Sequence, residues 1–136
     1  MVEFAFSSYH GMYQVSKVRF SQLVEEALDE VPAEFARHLE EVPVEIRDRA
    51  SAKERKKLGL GARHLLLGLY CGRPMTERSV EESGRMPDVI YIFQEDIQAV
   101  CSSEEDLKKQ VRKTVLHEIG HHFGLDEGDL SDLGYG

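Results

Sequence analysis

The chain has 136 residues, 41% hydrophobic and 31% charged, which is enough for one domain with a buried core. Its 25 acidic residues against 17 basic ones leave a net charge of −8, a surface that repels phosphate backbones and anionic lipid and so argues against nucleic acid or membrane as partners. No apolar run approaches the roughly twenty residues of a bilayer span, and Met1–Phe6 lacks the basic start and long apolar core of a signal peptide, so a cytoplasmic protein is expected.

Residues 1–15 mix aromatic and polar side chains (Phe4, Phe6, Tyr9, Tyr13) and read as a tail or a short strand. Residues 16–136 read as a single domain. From Ser16, Phe20, Leu23, Val24, Ala27 and Leu28 fall at helical spacing. Val31-Pro32 breaks that helix, and Pro32 opens a second one through Phe35 and Leu39. Val42, Val44 and Ile46 alternate with Pro43, Glu45 and Arg47, the pattern of a strand with one buried face. The charged run Ala52–Lys57 predicts a short solvated helix, capped by Ser51 and ended by Gly59.

His64–Tyr70 is apolar and contains a second strand, and Gly72-Arg73-Pro74 turns the chain. Residues 75–87 form a long polar loop, a length that often carries function. Val89–Phe93, β-branched and aromatic, is a strand. Gln94–Cys101 reads as a connector with a helical turn. Ser102 or Ser103 caps the last long helix, with Glu105 or Asp106 near the capping-box position. Leu107, Val111, Val115 and Ile119 make its buried stripe, and the helix runs to about Phe123. Cys71 and Cys101 are far apart and lack C-x-x-C spacing, so two buried free thiols are expected.

The most specific signal lies on that last helix: His117-Glu118-Ile119-Gly120-His121-His122-Phe123-Gly124-Leu125-Asp126-Glu127. A helix turns about 100° per residue, so His117 and His121 share one face, one turn apart, and can ligate one metal ion. Glu118 points about 100° away from His117, which suits a general base beside the ion's open position rather than a like ligand. Gly120 fits a close packing contact, and Gly124 is a helix stop. A zinc ion needs a third protein ligand, and the acids behind Gly124 (Asp126, Glu127, and more weakly Asp129) are the candidates. His122 lies off the axis of the ligand pair and is expected to brace the site or face solvent. Two histidines and a carboxylate also suit other first-row divalent metals.

Leu67-Gly68-Leu69-Tyr70, Gly72-Arg73-Pro74, Thr76-Glu77-Arg78-Ser79, Pro87-Asp88-Val89-Ile90, Gln110-Val111-Arg112 and Thr114 through Leu125 resemble the minimal zincin-like metallopeptidases, small bacterial proteins built around HExxHxxGxxD. The likeness is strong over the last half of the chain and holds in outline before it. It implies an α+β fold of the minimal zincin-like type: a small mixed β-sheet packed on helices, with a C-terminal active-site helix. It also implies a zinc-dependent metallopeptidase hydrolysing peptide bonds, with a peptide or protein as substrate and Glu118 as base. The family register puts the third ligand ten residues after His117, at Glu127, where the family favours Asp; Asp126 is the alternative.

Zincins often align substrate along an edge strand; residues 88–93 are the candidate here. Tyr91, Tyr70 or Arg78 would assist the oxyanion, and Thr76, Glu77 and Arg78 would brace the metal ligands. No methionine follows the motif, so the methionine turn of full metzincins is missing. The small size also removes most of the substrate cleft of larger zincins. Both departures favour the competing expectation of a non-catalytic metal-binding or interaction module that keeps the helix. Hydrolysis of a non-peptide amide is a third.

Overall fold

Five helices and four strands form among the described residues: β1 (Val2–Phe6), α1 (Lys17–Asp29), α2 (Ala33–Glu41), β2 (Val44–Arg47), α3 (Ala52–Lys57), β3 (Leu65–Cys71), β4 (Val89–Phe93), α4 (Gln94–Ala99) and α5 (Glu104–His122). The computed structural model describes residues 2–6, 12–72 and 88–122, with the backbone alone at 2–6, 121 and 122. The strands form one sheet in the order β1-β3-β4-β2. β3 is antiparallel to both its neighbours, and β2 runs parallel to β4. This is the expected α+β arrangement, a small mixed sheet on helices.

Local sequence explains most of the helix ends. Ser16 caps α1, its side chain accepting from Arg19 N at 3.0 Å. Phe20, Leu23, Val24 and Ala27 then fall on one buried face. Pro32 stands at the cap of α2, where its missing N–H costs nothing. Ser51 and Glu54 close a capping box around α3, and Gly59 follows with φ +73°, a conformation other residues resist. Ser103 caps α5 by accepting from Asp106 N, while the Asp106 carboxylate accepts from the N–H and hydroxyl of Ser102.

Two expectations are corrected. Residues 88–93 do not lie at the sheet's edge: β4 is hydrogen-bonded on both sides, by β3 and by β2, and cannot take a further strand. The apolar run Val-Ile-Tyr-Ile-Phe is that of an interior strand, and its pairing with β2, over forty residues away, leaves no local trace. The connector after β4 is a six-residue helix, α4, that begins directly at Gln94. Once the chain enters α4 it no longer offers β3 a backbone acceptor, and the Asp96 carboxylate takes that place, accepting from Leu66 N at 2.8 Å. Asp96 is 2% exposed and is faced by Arg49 Nε at 3.2 Å and Arg55 Nη1 at 3.8 Å. Arg55, itself buried, also donates to the carbonyls of Gly61 and His64, so the turn before β3 is held by the same group.

The ladder between β1 and β3 slips at one point. Phe4 pairs with Gly68 and Ala5 with Leu66, so Leu67 is an extra residue in β3. The bulge shifts the side-chain alternation. Leu65, Leu67 and Tyr70, with Ile90 and Ile92, join the large core against α1 and α5. Leu66, Leu69 and Phe93 turn to the other face, where a small cluster forms with Ala50, Leu58, Leu60 and Tyr91.

Helix α5 is the centre of the domain. It packs on α1 on one side and on β1, β3 and β4 on the other. Its first half is amphipathic, with Leu107 and Val111 fully buried between half-buried or exposed neighbours. Every residue from Thr114 to Gly120 is buried. The second half is therefore an interior helix rather than a surface one, which the expected stripe of Val115 and Ile119 did not foretell. Among the described residues no helix is long and apolar enough to cross a membrane.

Candidate functional site

The motif begins in the buried stretch of α5, residues 114–120. The helix is unbroken through His122, so positions 117 and 121 lie one turn apart on one face. His117 is 4% exposed and Glu118 is fully buried. The side chains of His121 and His122 are outside the described set, as are Gly124, Asp126, Glu127 and Asp129, so the third-ligand position lies outside the described residues. Thr76, Glu77 and Arg78 lie outside them too. Among the described residues no three His, Cys, Asp or Glu side chains gather as a metal cluster.

Gly68 and Thr114 set how closely this helix approaches the sheet. A Cβ at Gly68 would stand 2.5 Å from Thr114 Cγ2, 3.3 Å from the Tyr91 carbonyl and 3.8 Å from Glu118 Cγ. Only glycine leaves room there, and the space it leaves is filled by α5 at Thr114 with Glu118 alongside. The Thr114 hydroxyl accepts from Gln110 Nε2 at 3.2 Å, one turn earlier. The bulge brings Gly68 to this face in the first place, since Leu67 and Gly68 both turn toward α5. A lone glycine inside an apolar run, Leu65–Tyr70, is the sequence signal for such an approach. Thr114 carries no comparable signal.

The two tyrosines separate. The Tyr91 side chain belongs to the face away from α5, beneath the guanidinium of Arg47, which lies 4.9 Å from the Tyr91 ring centroid and 5.3 Å from that of Phe93. It does not join Glu118, which corrects its expected part beside the substrate. Its backbone carbonyl is the group near Gly68. Tyr70 is on the α5 face, and its hydroxyl donates to Asp88 Oδ2 at 2.7 Å, tying the end of β3 to the residue before β4.

The electrostatics elsewhere on the sheet are structural. Arg47 donates twice to Glu54, at 2.8 Å each, and those bonds hold the Glu54 carboxyl down to about 2. The thiols of Cys71 and Cys101 are free, as expected, but only Cys101 is buried and Cys71 is half-buried. Burial raises both, that of Cys101 up to about 12, which disfavours the thiolate form of each.

No curated protein matches the chain. One similar solved structure is that of a conserved hypothetical protein from Thermo thermophilus. It is 22% identical, with a TM-score of 0.52 over 80% of this chain and 94% of that one, a likeness of fold alone. Residues 39–136 match the model of the zincin-like metallopeptidases, a span that includes β2, β3, β4 and the whole of α5. The buried HExxH helix, laid against a glycine of the sheet, therefore stands within its own family: the chain belongs to the zincin-like metallopeptidases.

Proposed function

We propose that this protein is a zinc-dependent peptidase. The observation that carries the reading is the unbroken helix that sets positions 117 and 121 one turn apart and buries Glu118 beside Gly68 of the sheet. The donor chemistry fits a zinc ion: two imidazole positions on one helical face, with a carboxylate beyond the glycine as third ligand. His117, His121 and Glu127 would hold the ion, with Asp126 the alternative to Glu127. When bound, zinc supplies Lewis acidity toward a water and a peptide carbonyl.

Glu118 takes the proton of the attacking water and returns it to the leaving amine. A peptide carbonyl accumulates negative charge as water adds, and a carboxylate that has just been protonated no longer opposes that charge. The close approach of the Glu118 stem to Gly68 limits the orientations the carboxylate must give up to act. The test is Glu118→Gln, an isosteric change suited to a fully buried position. The variant is expected to bind one zinc per chain by elemental analysis and to lose turnover of a quenched peptide library. Turnover equal to the parent would remove Glu118 from the base role.

One observation favours a second reading. Glu118 is fully buried and His117 is 4% exposed, so neither of these two side chains faces open solvent. A non-catalytic metal-binding or interaction module would look the same. Zinc-dependent, chelator-sensitive turnover by the parent chain separates the two.

A further inference from the structure

An extended peptide joins a sheet only at an edge, either open or vacated by the strand that fills it. The outermost strands are β1 and β2. β2 is separated from β3 by β4, so its outer edge lies two strands from Gly68. β1 pairs directly with β3 and sets Phe4 opposite Gly68, the residue whose α-carbon sits over Thr114 and Glu118. Helix α5 also lies against β1. The ladder position beside the candidate base is thus filled by the chain's own residues 2–6.

Several features distinguish this strand from the rest of the sheet. It lies outside the family-matched span, 39–136, whereas the other three strands lie within it. Its ladder is interrupted at the point of interest, between Phe4 and Ala5. The chain is fastened again before α1 begins. Tyr13 N donates to Gln98 O at 3.1 Å, Val15 N donates to Gln98 Oε1 at 2.9 Å, and Gln94 Nε2 donates to Val15 O at 3.1 Å. Those bonds tie residues 13–15 to α4, so α1 keeps its anchor whatever residues 2–6 do. Finally, Glu118 is fully buried and lies beside Gly68, the residue that Phe4 pairs with.

We infer that the outer edge of β3 is a peptide-docking edge, and that Val2–Phe6 is its resident strand, exchangeable for an extended peptide supplied in trans. The identity of the partner as a peptide rests on the function proposed above, while the exchange itself is tested by binding. Replacing one strand by another keeps the ladder's hydrogen bonds, so the exchange is close to balanced in enthalpy. The tethered strand competes at an effective concentration of about millimolar, which masks the edge from dilute peptide. Binding in the parent chain is weakened by the fraction of molecules with the edge open.

The probe is a fluorescein-labelled peptide of sequence Val-Glu-Phe-Ala-Phe, read by anisotropy. The proteins are the full chain and its Glu3→Pro and Phe4→Pro variants, each with and without zinc. Adjacent residues of a strand send their N–H groups to opposite sides, so one of the two prolines removes a ladder donor and the other faces outward. One variant is expected to bind the peptide at least tenfold more tightly than the parent, and the other to match the parent. Amides of β3 should exchange faster in the first variant and regain protection with peptide.

Deletion of residues 2–6 should reproduce the gain. If the proline and deletion variants fold and none binds more tightly than the parent, the inference is overturned. It is also overturned if binding improves without renewed protection of β3, or if the variants unfold and peptide does not restore them. Tighter binding without turnover in any variant would sink the hydrolytic reading alone. Turnover without tighter binding would sink strand exchange alone.

Discussion

Gly68→Ala tests how tightly the sheet grips the motif helix. The added methyl would lie 2.5 Å from Thr114 Cγ2, about 1.0–1.5 Å inside the roughly 3.5–4.0 Å optimum for two carbons. Thr114 is fully buried, so its methyl has nowhere open to move. Overpacking of this kind costs about 1–3 kcal/mol. We expect about 2 kcal/mol, a fall in Tm of roughly 6–8 °C for a domain of this size. Thr114→Ser removes the clashing methyl and keeps the hydroxyl that accepts from Gln110. Alone it should cost about 1 kcal/mol, the value of one buried methyl group. Together the two changes should cost less than their sum, by about 1 kcal/mol or more, because each relieves the other. Rescue stays incomplete, since the Tyr91 carbonyl remains 3.3 Å from the new methyl. Urea denaturation of the four proteins completes the cycle. A single-variant cost below about 0.5 kcal/mol, or simple additivity within that margin, would refute the close-approach argument.

Three other outcomes are expected. Asp96→Asn keeps an acceptor for Leu66 N but leaves buried Arg55 without its countercharge, so it should cost about 3 kcal/mol in urea unfolding, and Asp96→Ala about 1–2 kcal/mol more; equal and small losses would show that the buried carboxylate is not needed. Glu54 has its carboxyl lowered to about 2 by Arg47, so its contribution is complete above the ordinary carboxylate range near pH 4.5 and disappears as pH falls toward 2; Arg47→Met should therefore flatten the acid limb of stability in that window, by on the order of 1 kcal/mol, and an unchanged limb would contradict the pairing. Cys101, 2% exposed, should react with maleimide at pH 8 only as fast as the domain opens, and more slowly than half-buried Cys71; equal rates would contradict the burial.

What could be read from the chain was mostly what neighbours in sequence decide. The Ser51 and Ser103 caps, the Gly59 stop and the stripe of α1 are all settled within a turn or two of helix. The spacing of His117, Glu118 and His121 belongs to the same class, because a helix converts spacing directly into geometry. Partners thirty or more residues away were not legible. The interior place of β4 depends on β2, and the start of α4 is tied to Leu66 through Asp96. The depth of the motif was hidden for the same reason. Seven consecutive buried residues at 114–120 require packing on both sides, which the spacing of His117 and Glu118 alone does not show. Gly68 was visible as an oddity in an apolar strand, but its meaning depends on the bulge and on a helix 46 residues later.

Asp96 also has a consequence for the order of events at the ribosome. Arg49 and Arg55 are synthesised well before the acid they face, the former by 47 positions. Until β4 and α4 have emerged, β2 lacks the strand it pairs with and the two guanidinium groups lack the carboxylate. A nascent chain halted before residue 96 therefore holds an unfinished sheet, and α1 still lacks the α5 face on which it packs. Arrival of that single carboxylate joins the turn after β2, the end of α3 and the start of β3, so this junction between residues 49 and 66 is completed late, from downstream.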